Sequence, residues 1–229
     1  MRGSGSGSST EGATTPGSPR SDDPGRAGEL PRAVADAIEG HLEEREARRE
    51  SIHGRARALR RLAQGTMQSV HAGEPYAADL ARVREETAAF AAWLRAEGRG
   101  DEGLARDALQ EGVEALLLGA VVAGAPLPGP AALGVDPEIY LTGLGDLAGE
   151  VRRLILARLI ARDLPGADAA LATLDALVRT LLRFDTTRAI VALKPKQDAA
   201  RAILERTRGD VALAHVLAGV PATRSPEAP

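Results

Sequence analysis

The stretch "ALQEGVEALLLGAVVAG", residues 108–124, constrains the fold of this chain more than any other. From Val113 onward nearly every side chain is apolar, and a helix that is apolar on all sides is a helix buried by its neighbours. Two carboxylates, Glu111 and Glu114, nevertheless lie within it. Burying a carboxylate is unfavourable unless its charge is compensated. The stretch therefore predicts a core helix whose glutamates either face water or hold a ligand.

The rest of the chain is typical of an all-helical protein. Ala, Leu, Arg and Glu dominate, runs of β-branched residues are absent, and Pro and Gly clusters separate the amphipathic segments. The predicted helices cover about residues 31–71, 75–97, 102–122, 137–162 and 167–184, with at least one more after Asp185. Six or seven helices with short connections make an all-α helical bundle.

Composition indicates where the helical domain begins and ends. Residues 1–29 are Gly, Ser, Thr, Pro and Arg with almost no apolar residue, so they cannot bury enough surface to offset the entropy of ordering. We expect a disordered tail there, a second one at 220–229, and one helical domain over 30–219.

The chain has no cysteine, which excludes disulfides and thiol catalysis. The longest apolar run, 115–123, is too short to span a bilayer, so we expect a cytoplasmic protein without membrane contact.

The acidic residues of the 102–122 helix share one face. On a helical wheel, Asp107, Gln110, Glu111 and Glu114 fall within a stripe about 100° wide. A solvated surface is the ordinary explanation for such a stripe. The apolar residues that follow make a binding site the second explanation.

A second acidic pair lies in the 137–162 helix. Asp146 and Glu150 are four residues apart, and Arg153 follows as an expected structural partner of Glu150. Gly143 and Gly149 flank this face and would let a helix or a substrate approach closely.

Two acidic helix faces packed together would favour a divalent cation. Four carboxylates repel one another and raise each other's pKa, and oxygen-only ligands suit Mg²⁺ or Mn²⁺. A metal held in this way can activate water for phosphodiester hydrolysis. A di-iron bundle is disfavoured, because it requires a Glu-x-x-His pair on two helices. The four histidines are expected to lie away from the acidic faces: His41, His53, His71 and His215.

Three segments in order resemble the translin family. They are "ALQEGVEALL", "YLTGLGDLAGEVRR" and "FDTTRAIVALKPKQDAARAILERTRGDVALA", and the resemblance spans roughly residues 31–215. It extends to the branch of translin-associated factor X, TRAX, whose members cleave RNA with Mg²⁺. The catalytic, metal-binding carboxylates of that branch fall on Glu111, Glu114, Asp146 and Glu150. One departure is Gly112, which replaces a tyrosine of the motif and should alter helix packing more than chemistry.

The resemblance also implies partners. Family members bind single-stranded RNA and DNA and assemble into octameric shells, which for this chain implies a homo-oligomer. The family's basic region falls near Arg55, Arg57, Arg60 and Arg61, to which we add Arg153 as a candidate RNA contact. Aromatic residues are scarce, so recognition of the backbone with little sequence preference is favoured over base stacking.

The sequence therefore predicts a Mg²⁺-dependent endoribonuclease acting on single-stranded RNA. Two alternatives stay open. One is a translin-like nucleic-acid-binding protein without catalysis. The other is a metal-binding helical regulator that resembles the PhoU bundles, which also use acidic helix pairs.

Overall fold

The computed structural model describes residues 30–97, 103–184 and 191–219, and this part of the chain is helical without strands. Its seven helices are α1 (Arg32–Ala72), α2 (Ala77–Ala96), α3 (Gly103–Val122), α4 (Pro130–Leu133), α5 (Pro137–Ile160), α6 (Leu164–Leu181) and α7 (Leu193–Gly219). The all-α prediction is confirmed. Both predicted tails and Asp185 lie outside the described residues, so those expectations stay predictions.

The described chain divides into two compact units, and their boundary lies inside α1, between Ala47 and Arg48. In the first unit, Val34, Ile38 and Leu42 succeed one another at four-residue spacing and are 44%, 47% and 57% exposed. We call these three residues the apolar stripe of α1. Exposed apolar residues gathered on one helix face mark an interaction surface more often than isolated ones do.

The second unit is a helical bundle with α5 at its centre. Helix α5 packs against α3, α6 and α7, while α6 also packs on α7 and α2 packs on α3. Leu109 and Leu117 of α3 and Leu147 and Ile155 of α5 are at most 1% exposed. The predicted burial of the opening stretch is therefore confirmed, and it places both acidic helix segments beside the core.

Two glycines of α5 explain how closely its neighbours approach. A Cβ on Gly143 would stand 3.0 Å from the carbonyl oxygen of Gln110 in α3, and a Cβ on Gly145 would stand 2.8 Å from the Cβ of Lys196 in α7. At both positions a side chain would force a neighbouring atom to shift, so glycine is favoured there. Gly149 differs, because nothing lies within 4 Å of its missing Cβ. The predicted close approach of a helix is confirmed at Gly143.

Gly112 serves the same purpose on the opposite side of α3. A Cβ at this position would overlap the side chain of Thr87 in α2, and Gly112 and Thr87 are both buried. The departure from the family motif therefore faces the α2–α3 contact. The acidic residues of α3 lie elsewhere on the helix.

Local sequence signals explain one helix that was not predicted and one helix that begins earlier than predicted. The segment predicted as a Pro/Gly loop contains α4, a single turn with Pro130 at its start and Gly134 at φ 68° as its left-handed cap. Helix α6 begins at Leu164 rather than near Ala167, because the side chain of Asp163 accepts a hydrogen bond from the amide of Gly166. Across the described ranges, no helix is both long enough and apolar enough to cross a membrane.

Candidate functional site

The four predicted carboxylates lie near one another, partly buried, where α3 meets α5. We call Glu111, Glu114, Asp146 and Glu150 the acidic cluster. Glu111, Glu150 and Asp146 retain 17%, 22% and 27% of their side-chain exposure, and the charges of all three act on Glu114. The helical-wheel prediction of two facing acidic pairs is therefore consistent with the packing of α3 and α5. Whether the four residues act in catalysis stays a prediction.

Glu114 has the most perturbed carboxyl group of the cluster. Burial, followed by the negative charges of Asp146, Glu150 and Glu111, raises the pKa of Glu114 from 4.5 to about 8, against a smaller opposing effect of Lys196. The other three carboxylates each contact a basic side chain, whereas Glu114 contacts none in the described part of the chain. Glu114 is therefore protonated over much of the physiological range unless a cation approaches it.

Glu111 is held by α1. The Nε of Arg60 donates to Oε1 of Glu111 at 2.8 Å, and the Nε2 of Gln64 donates to Oε2 at 2.8 Å. Both donors lie one turn apart on the same face of α1. Arg60, predicted as an RNA contact, thus lies beside the acidic cluster, and its side chain is still 40% exposed.

Glu150 is held by the C-terminal end of α1. Its Oε2 contacts the Nε2 of His71, whose side chain is 6% exposed and whose Nδ1 is buried without a partner in the described residues. The prediction that all four histidines lie away from the acidic faces is therefore wrong for His71. The 41-residue length of α1 brings His71 to α5 from 79 positions away, which no local pattern indicates. Arg153 lies 3.9 Å from Glu150, which confirms the predicted pairing.

Asp146 is held by α3 and α7. The Nε2 of Gln110 donates to Oδ2, and the Nζ of Lys196 donates to Oδ1 at 2.5 Å. Gln110 was placed on the acidic stripe by the helical wheel. Lys196 was missed, because it comes from a helix 50 positions later and only its place in the third family-like segment draws attention to it.

The cluster does not form a closed ligand shell as it stands. Over residues 30–97, 103–184 and 191–219, no three His, Asp or Glu side chains converge closely enough to hold a metal ion. The reason lies in the contacts above: Arg60 holds Glu111, His71 holds Glu150, and Lys196 holds Asp146. Arg60 and Lys196 thus supply positive charge to two of the carboxylates, and the imidazole of His71 contacts a third.

The remaining predicted RNA contacts lie on exposed surfaces. The guanidinium of Arg55 lies 4.9 Å from the ring centroid of Trp93, a cation–π distance. The Nε of Arg57 donates to the carbonyl of His53 at 3.2 Å. Arg61 is exposed, and Arg153 retains 58% of its side-chain exposure. Four arginines, at 55, 57, 61 and 153, are therefore accessible to an anionic ligand.

Comparisons with known proteins agree with this architecture. No protein-family model matches the chain. Uncharacterized protein MJ0175 of Methanocaldococcus jannaschii is 34% identical over 103 residues, which are 44% of this chain and 46% of the relative. The chain thus aligns with about half the length of that curated relative.

Solved structures match a much larger share of the chain than this relative does. The chain resembles AfC3PO, from Archaeoglobus, both in a complex with duplex RNA (TM-score 0.71, 27% identity, 80% of this chain and 97% of that chain) and without it (0.70, 29%, 80% and 98%). It also resembles NeC3PO, from Neurospora (0.70, 23%, 81% and 98%), which at that identity shows the fold alone.

The fold is therefore the helical fold of the C3PO (translin/TRAX) proteins. The structural likeness, at 27% and 29% identity to AfC3PO, supports the assignment of this chain to the translin family. It agrees with the resemblance carried by the three sequence segments.

Proposed function

We propose that this protein is a Mg²⁺-dependent endoribonuclease of the TRAX type. One observation carries the proposal. Glu114 lies among three other carboxylates without a basic partner in the described residues, and its pKa is raised to about 8. Perturbed groups of this kind concentrate at functional sites, and a divalent cation would remove the repulsion that perturbs this one.

The donor chemistry of the cluster fits such a cation. Glu111, Glu114, Asp146 and Glu150 offer only carboxylate oxygens, which Mg²⁺ and Mn²⁺ prefer. A bound Mg²⁺ would supply an activated water and stabilise charge on a phosphodiester. Around it, His71 would orient Glu150, while Arg60 and Gln64 would orient Glu111, because outer contacts of this kind fix the direction of a ligand.

Exposed arginines would hold the nucleic acid. Arg57 and Arg61 lie four residues apart on α1, and Arg153 lies beside Glu150. The duplex-RNA complex of AfC3PO supports RNA as the ligand class. We favour single-stranded RNA as the substrate, bound through its phosphates, with single-stranded DNA as a second ligand.

We also propose that the chain assembles into a homo-oligomer, and an octamer is favoured by analogy with the family. The apolar stripe of α1 is exposed and offers a surface that a second copy would cover. An oligomer would also bring several arginine sets to one RNA, which raises avidity without new contacts.

A cleavage assay tests the proposal. Labelled single-stranded RNA and the matching duplex are incubated with the protein and Mg²⁺, with and without EDTA. We expect cleavage of the single strand that EDTA abolishes. Glu114→Gln should lower the cleavage rate by about 100-fold or more, because a ligand of the activating metal is lost. Asp107→Asn is the matched control: it makes the same chemical change on α3 at an exposed position and should cleave at the parental rate.

The alternatives give different outcomes in the same assay. RNA binding without cleavage under any divalent cation would indicate the translin-like binding protein. Metal binding without RNA binding would indicate the helical regulator. Equal loss of activity in Glu114→Gln and Asp107→Asn would argue against the acidic cluster as the active site.

A further inference from the structure

The chain has two lysines, and the structure places them in different environments. Lys194 and Lys196 both lie in the first turn of α7. The Nζ of Lys194 pairs with Asp198 on the same helix at 2.8 Å, and its side chain is 57% exposed. The Nζ of Lys196 instead reaches Asp146 on α5, and its side chain is 32% exposed. Lys194 is thus a natural control for any role of Lys196.

The position of Lys196 depends on the backbone of α5. The missing side chain of Gly145 leaves room for the Cβ of Lys196, which a Cβ on α5 would meet at 2.8 Å. Close helix packing therefore carries the Lys196 stem over α5 and directs its ammonium group to the next residue, Asp146. Both carboxylate oxygens of Asp146 are then occupied, one by Lys196 and the other by Gln110.

The basic partners of the cluster differ in how easily they can leave. His71 is 6% exposed, so its side chain has little room to turn away from Glu150. Arg60 shares Glu111 with Gln64. Lys196 carries a compact charge on a flexible four-carbon stem, and its side chain is 32% exposed, so its ammonium group has room to turn from Asp146 towards solvent.

We propose that the ammonium group of Lys196 pairs with two anions in turn. In the metal-free protein its ammonium group neutralises Asp146. When a divalent cation takes Asp146, Lys196 turns to the scissile phosphate of the RNA and stabilises the negative charge that develops on its non-bridging oxygens. This inference rests on the proposed function and assigns to that site a catalytic residue outside the four carboxylates.

Metal binding gives the first test. Lys196→Met removes the charge and keeps most of the length of the side chain, and Lys194→Met is the matched control. Each protein is titrated with MgCl₂ by calorimetry without RNA. Because Lys196 no longer competes for Asp146 or repels the cation, we expect Lys196→Met to bind Mg²⁺ more tightly, by roughly fivefold to tenfold. Lys194→Met should match the parent.

Cleavage at saturating Mg²⁺ gives the second test. Under single-turnover conditions with a labelled oligouridine, Lys196→Met should cut at least about 100-fold more slowly than the parent, the usual effect of losing one donor to a transition-state anion. RNA affinity should change little. Lys196→Arg, which keeps a charge, should recover part of the rate. The combination of tighter metal binding with slower cleavage is the signature, since a merely structural lysine would weaken both.

The outcomes separate this inference from the proposed function. Mg²⁺ affinity that is unchanged or weaker in Lys196→Met overturns the role at Asp146. Parental cleavage by Lys196→Met overturns the role at the phosphate, while the proposed nuclease stands. A parent protein that cuts no RNA overturns both proposals. Circular dichroism of each variant checks that the fold is intact, and Lys196→Gln provides a second substitution if Lys196→Met fails to fold.

Discussion

Glu111 and Glu114 lie three residues apart on α3, yet the protein treats their charges differently. Glu111 receives hydrogen bonds from Arg60 and Gln64. Glu114 receives none from the described residues and is surrounded by the other three carboxylates, which together with burial raise its pKa to about 8. Two glutamates that the sequence presents as equivalent therefore make opposite contributions to stability.

This difference predicts a pH dependence for Glu114→Gln. Without metal, the unfolded chain releases the Glu114 proton near its ordinary pKa of 4.5, whereas the folded chain keeps it to about 8. The folded state binds more protons in this window, so the contribution of Glu114 to stability falls as pH rises. We expect Glu114→Gln to match the parent below pH 4.5 and to exceed it by about 2 kcal/mol near pH 8. Urea unfolding in EDTA across this range measures the difference.

Glu111→Gln is the internal comparison. Because it weakens the partly buried contact with Arg60, it should not gain stability with pH in the same way. Mg²⁺ should stabilise the parent through linkage and narrow its gap to Glu114→Gln. Parallel pH curves for the parent and Glu114→Gln would contradict the assignment of a raised pKa to Glu114.

At the scale of elements, the α3–α5 contact decides whether the acidic cluster exists. The two helices approach closely because Gly143 lies against the Gln110 backbone, and a backbone oxygen cannot rotate away as a flexible side chain can. Their separation sets the spacing between the carboxylates of α3 and those of α5.

Gly143→Ala should therefore destabilise the protein by about 1–3 kcal/mol, the usual effect of overpacking. Gly149→Ala is the control. It lies on the same helix, meets nothing within 4 Å, and should be neutral or stabilising by up to about 1 kcal/mol through helix propensity. Thermal unfolding of both variants tests the pair. Equal midpoints for the two variants would show that the α3–α5 distance is not limiting.

At the scale of the whole molecule, the exposed apolar stripe of α1 offers a surface for a second copy of the chain. Light scattering should give a mass several times the 23.8 kDa of one chain, with eight copies favoured. Ile38→Asp places a charge in the stripe and should reduce the mass. Ala33→Asp lies about 140° from the stripe's centre on the helical wheel and should leave it unchanged. A parent that is monomeric at micromolar concentration would remove the assembly proposal and leave the acidic cluster unaffected.

The sequence by itself determined where the helices lie and which residues share a helix face. The 3.6-residue period of apolar and acidic residues follows from local helix geometry, so it gave the helices, the burial of α3 and the four carboxylates. Helix α6 begins earlier than expected because the Asp163 cap was overlooked, and the short helix α4 was not predicted.

Only the tertiary structure decided which partners those carboxylates meet. Arg60, His71 and Lys196 lie 51, 79 and 50 positions from the acids they contact, and periodicity within one helix carries no information about residues on another. Their placement depends on how closely the helices pack, which Gly143 and Gly145 permit. The packing thus leaves Glu114 without a basic partner in the described residues, because three basic side chains from α1 and α7 reach the other three carboxylates.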